Sequence, residues 1–166
     1  MRVLRWVDKH AARPKEFSQE TRENYAPGLA GFDSFQSFLE RHDAEAYEDA
    51  SLRDYTLTHV EELAVGRRAA AARLPRWAEA MVSDDDIALA DEDELSGLFA
   101  DAAGHFANEA SALEAWLDAR PEPLADIDFD EAALDELRDA HDRARKAEKR
   151  AIERIGQVVE ALPNLF

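Results

Sequence analysis

The stretch from residue 130 to 162, DEAALDELRDAHDRARKAEKRAIERIGQVVEAL, limits what this chain can become more than any other. Read in heptads, Leu134, His141, Glu148, Ile155 and Leu162 share one position, and Leu137, Ala144, Ala151 and Val158 share the other. A seam repeating every three and four residues specifies a long helix packed lengthwise against other helices. Two ionisable residues, His141 and Glu148, stand in it. Glu148 has two readings: a pair with Arg73, or a seam drifting to Ala147 and Ile152. Drift is favoured, because a straight helix slips about 20° per heptad against a strict repeat.

Three other segments carry the same periodicity. Residues 34–49, capped by Asp33 or Ser34, place Phe35, Phe38, Leu39, His42 and Ala46 on one face. Residues 52–82 follow Ser51, whose spacing to Asp54 approximates a capping box. Their inner face reads Leu52, Tyr55, His59, Leu63, Gly66, Ala70, Leu74, Trp77 and Met81. Gly66 and nearby alanines imply close helix approach, and Pro75 should kink or break the helix. Residues 91–119 present Leu95, Phe99, Ala102, Phe106, Glu109, Leu113 and Trp116 or Leu117, and the Arg-Pro-Glu-Pro stretch at 120–123 stops them.

No alternating strand pattern, internal repeat or low-complexity linker interrupts this order. Three helices of roughly 30 residues would each be about 45 Å long. Short connections, such as the acidic one at 83–86, make neighbours antiparallel. The expected fold is all-α: an antiparallel up-down helical bundle of three long helices and a shorter fourth, with an N-terminal helical arm. A single domain is expected overall. Residues 1–31 supply the arm, helical over 2–12 with Val3, Trp6 and Val7 inward, and a loop over 25–31. Residues 32–166 supply the bundle, with Leu165 and Phe166 folding back onto its end.

Composition narrows the partners. The chain has 166 residues, 46% hydrophobic, so it can fill one core. It carries 37 acidic and 20 basic residues, for a formal charge of −17. Such a surface repels phosphates and anionic lipid, which argues against nucleic acid and membrane partners. Four lysines stand against sixteen arginines, and cysteine is absent. That balance resembles proteins of a high-salt cytoplasm, where salt screens the self-repulsion, or of a GC-rich genome. Without cysteine there are no disulfides or thiolate sites. No apolar run is long enough to span a bilayer or to act as a leader peptide, so a cytoplasmic location, or one within an intracellularly assembled particle, is expected.

Phosphate loops, nucleophile elbows and His-Glu-x-x-His motifs do not occur. One constellation remains. Counting about 1.5 Å per residue from one bundle end, His42, His59, Glu109 and His141 all fall at heights of about 10–16 Å, on inner faces. Glu62 and His105 flank the same level. Imidazoles and carboxylates from facing helices are how bundles hold iron, manganese or zinc. His105-Phe-Ala-Asn-Glu109 is similar to the His-x-x-x-Glu motif of hemerythrin-like bundles, which implies a metal role for those two residues. The match covers five residues, and the family's His-x-x-x-His on a following helix does not occur. The other reading of this layer is structural: a polar level that fixes helix register.

The leading expectation is a non-enzymatic helical interaction or assembly protein of an acidic, salt-adapted proteome. It would need no cofactor and would bind a protein partner or form a homo-oligomer. The alternative is a metal-binding four-helix bundle using His42, His59, Glu62, His105, Glu109 and His141 for sensing, storage or small-molecule chemistry.

Overall fold

In a computed structural model of the chain, residues 29–82, 92–121 and 127–162 are described. They form an all-helical assembly: α1 (Leu29–Arg41), a 3-10 turn (Glu45–Glu48), α2 (Ala50–Val82), α3 (Glu92–Asp118) and α4 (Glu131–Ala161). No strand occurs among the described residues. The arm at 2–12, most of the expected loop at 25–31, the connector at 83–86 and the tail with Leu165 and Phe166 lie outside them.

Helix α4 follows its sequence pattern closely. Asp130 caps it, its carboxylate accepting from the Ala133 N–H at 2.7 Å. That bond satisfies one of the donors every helix N-terminus leaves open. Every residue of the expected seam is buried, Glu148 and His141 included. Glu148 is 4% exposed, so the seam does not drift away from it. Helix α3 also buries its expected face, from Leu95 through Trp116.

Helix α1 differs from expectation at both ends. It starts at Leu29, so Leu29, Ala30 and Gly31 are helical and not loop. It stops at Arg41, eight residues short of the expected end. The cause is local hydrogen bonding. The Asp43 carboxylate and carbonyl both accept from the Ala46 N–H, which winds a tight turn and not a further α turn. Asp49, not Ser51, serves the start of α2, accepting the Ser51 N–H at 2.8 Å.

Helix α2 turns a different face inward over its first half. Thr56, Leu57, Val60 and Ala64 are buried, whereas Tyr55 is 54% exposed and Gly66 is exposed. A Cβ added at Gly66 would meet nothing within 4 Å, so no close approach depends on it. The inward series Val60, Ala64, Arg67, Ala71, Leu74, Ala78 and Met81, in which Arg67 and Ala71 are half-buried, is also a three-four repeat. It lies one residue from the expected seam and merges with it at Leu74. The helix runs unbroken through Pro75 to Val82.

The buried apolar residues fall into two clusters. One gathers α1, the first half of α2, the end of α3 and the first half of α4 around Phe35, Leu39, Val60, Leu113 and Leu137. The other gathers the second half of α2, the start of α3 and the end of α4 around Leu74, Phe99, Phe106 and Ile155. Between them, in sequence on each of the three long helices, stand Arg67, Glu109 and Glu148. At the end of the first cluster the Trp116 indole donates to the Ala133 carbonyl at 3.2 Å, and Tyr47 stacks on Phe129.

Candidate functional site

Two polar levels interrupt this core, and the expected site residues divide between them. The first lies beneath α1. Phe35 of α1 is stacked on His59 of α2, centroid to centroid 3.9 Å, and tilted against His141 of α4 at 5.2 Å. Phe32 closes on His141 at 5.0 Å. His141 is fully buried, and its Nδ1 donates to the Gln36 Oε1 at 3.0 Å. With that proton on Nδ1, Nε2 is a bare acceptor, and it has no partner. Burial, the neighbouring His59 and Arg145 pull the His141 pKa down to about 4, so the ring is neutral at pH 7. Burial also lowers His59, against a smaller opposing pull from Glu62.

Around this level α4 holds α1 by its open carbonyls. Arg138 donates to the Leu39 and His42 carbonyl oxygens, and Arg145 pairs with Asp33 at 2.7 Å. Those carbonyls belong to the end of α1, where helical partners run out.

The second level joins α2, α3 and α4. Arg67 Nε donates to Glu148 Oε2 and to Glu109 Oε1, both at 2.9 Å, and its Nη2 donates to Glu148 Oε1 at 3.0 Å. Glu148 thus receives a two-pronged guanidinium contact, the stronger geometry for an ion pair. Glu109 shares one N–H with it, and its Oε2 has no partner. The Arg67 guanidinium also lies over the Phe106 ring at 5.7 Å. Glu109 is 0% exposed. Burial and the adjacent Glu148 push its pKa up to about 10 against the opposing Arg67.

The expected single layer is therefore not one layer. His59 and His141 meet at Phe35. Glu109 sits with Arg67 and Glu148 instead. His42 lies past the end of α1, where its Nδ1 donates to the Phe38 carbonyl at 2.8 Å and its ring tilts on Phe38. Glu62 is exposed beside His59, and His105 is half-buried one turn before Glu109. Among the described residues no group of three or more His, Asp or Glu side chains is arranged to hold a metal ion.

Sequence reasoning missed Arg67, assigned Glu148 to drift or to Arg73, and gave Gln36 no role. A signal was present: Arg67 falls in the alternative three-four series of α2, and Glu148 sits on a strict heptad with His141 and Ile155. The basic residues along 143–154 of α4 otherwise line a solvated face, with Lys146 on Asp142 and Arg154 near Asp101. No family model matches this chain, and no curated protein or solved structure is significantly similar to it.

Proposed function

We propose that this chain is a non-enzymatic helical interaction or assembly protein of an acidic, salt-adapted proteome, working in the cytoplasm or in a particle assembled inside the cell. One observation carries the reading: a ring-lined edge along α1 and α2. Phe38, His42 and His59 are half-buried there, and Tyr55, edge-on to Phe38 at 5.3 Å, is more than half exposed. Aromatic side chains at a partly dry surface are the usual anchors of protein interfaces. The segment bearing them, residues 33–62, holds nine acidic residues, all exposed, against two arginines. Charge complementarity favours a partner that brings apolar anchors within a basic rim.

We read the helices as an antiparallel up-down bundle. Three cross-helix relations support this: Trp116 with Ala133, Glu109 with Glu148 through Arg67, and Asp101 with Arg154. Positions on α3 fall as those on α4 rise.

Sedimentation of the full chain across a salt series tests the functional reading. Self-association should strengthen as salt screens the −17 charge, whereas binding to a basic partner should weaken. Either association should fall with Tyr55→Ser and Phe38→Ser. A strict monomer at every salt concentration, with no partner carried through purification, overturns the reading.

A second reading is kept for one reason: the buried Nε2 of His141 has no partner and His59 is its neighbour. It would make these two histidines the start of an iron, manganese or zinc site. Metal analysis of the native chain against His59→Ala and His141→Ala decides it: no stoichiometric metal under replete conditions ends that reading.

A further inference from the structure

The Arg67–Glu109–Glu148 level has one cation for two carboxyl groups. A guanidinium can neutralise one of them, and the geometry says which. Glu148 takes both prongs, while Glu109 takes a share of the Nε–H already given to Glu148. Glu109 Oε2 is then a fully buried oxygen with no donor. An ionised carboxylate so placed is among the most costly groups a core can hold. A proton on Oε2 removes the difficulty. It leaves Oε1 free to accept from Arg67 and makes Oε2 a donor, at a level where the Glu148 carboxylate shares the same guanidinium.

We propose that this level is a proton-dependent lock: Glu109 is a carboxylic acid in the folded protein, and loss of its proton loosens α3 from α2 and α4 between the two apolar clusters. The groups facing Glu109 are Arg67 from α2 and Glu148 from α4, with His105 one turn earlier on α3 itself. The Arg68–Glu114 pair, which also takes Ser111, lies further out on the surface. The arrangement recurs in principle wherever like acids share a site, since the two cannot both ionise cheaply.

The direction follows from linkage. The folded state keeps a proton that the unfolded chain gives up near the ordinary glutamate value. The lock therefore contributes most in mild acid and is lost as pH rises toward about 10. For one proton the folding equilibrium constant falls by up to about tenfold per pH unit.

The test is chemical unfolding of the full chain from pH 6.5 to 10 beside Glu109→Gln, which keeps the shape of the neutral acid. The native chain should lose stability faster than the variant by up to about tenfold in the folding constant per pH unit, and Glu109→Gln should match or exceed it at the alkaline end. Parallel curves overturn the proposal. Infrared spectroscopy of the native chain gives an independent measure. A protonated carboxyl band should persist at neutral pH and fade in alkali, and its absence at neutral pH overturns the proposal even if the variant does not fold.

Discussion

The two polar levels in this core answer the same problem in opposite ways. Beneath α1, burial strips a proton from a base: His141 becomes neutral and is tied to Gln36. Between the apolar clusters, burial adds a proton to an acid, because a single Arg67 serves both Glu109 and Glu148. One level buries a neutral imidazole at His141 and fastens an accessory helix. The other keeps one full ion pair and spans all three long helices. The comparison teaches that a buried titratable residue need not signal chemistry, since each group here reaches the charge state its surroundings can hold.

The largest expected effect comes from removing the shared cation. Arg67→Ala should lower stability by about 3–5 kcal/mol, the usual result of stripping one partner from a buried ion pair. Urea unfolding at pH 7 measures it, and a loss under about 1 kcal/mol would dissolve the distinction between the two levels.

The acid limb comes next, because the two levels oppose each other there. His141 has a folded pKa of about 4 against an ordinary 6.5, so its contribution is lost as pH falls through that window. The gap corresponds to about 3 kcal/mol. Glu109 gains stability over nearly the same window, so the native chain should change little. Glu109→Gln should unmask the full acid loss, and adding His141→Leu should flatten it again. A Glu109→Gln protein as acid-resistant as the native chain would refute the opposition.

Smaller effects sharpen the α1 side. Gln36→Leu removes the one hydrogen bond to His141 and should cost about 1–2 kcal/mol. Hydrogen exchange should show α1 opening more often while α3 is unchanged. Asp33→Asn removes only an exposed pair with Arg145 and should stay within about 0.5 kcal/mol, vanishing at high salt.

Much of the fold was legible residue by residue. The seam from Leu134 to Leu162, Glu148 apart, and the α3 face from Leu95 to Trp116 follow from periodicity alone. The α1 boundary was not legible, because Asp43 diverts the chain by a bond to Ala46 that competes with the helix. The inner face of α2 was not legible either. Two three-four series one residue apart run through its alanine-rich middle, and alanine scarcely discriminates between them.

The candidate site depended on that choice. Heights counted along helices brought His42, His59, Glu109 and His141 to one level, but height says nothing of rotation or of where α1 ends. By itself, then, the amino-acid order determined an all-helical chain, its long helices and the burial of His141 and Glu109, because apolar spacing repeats along a helix and is written in neighbouring residues. Only the tertiary structure decided that Glu148 stays in the seam and which groups these three would meet. Arg67 faces inward because two acids from other helices need a cation at that height, and His141 faces Gln36 because Arg138 and Arg145 hold α1 across it. Such pairings join residues 42 to 105 positions apart, beyond the reach of any local pattern.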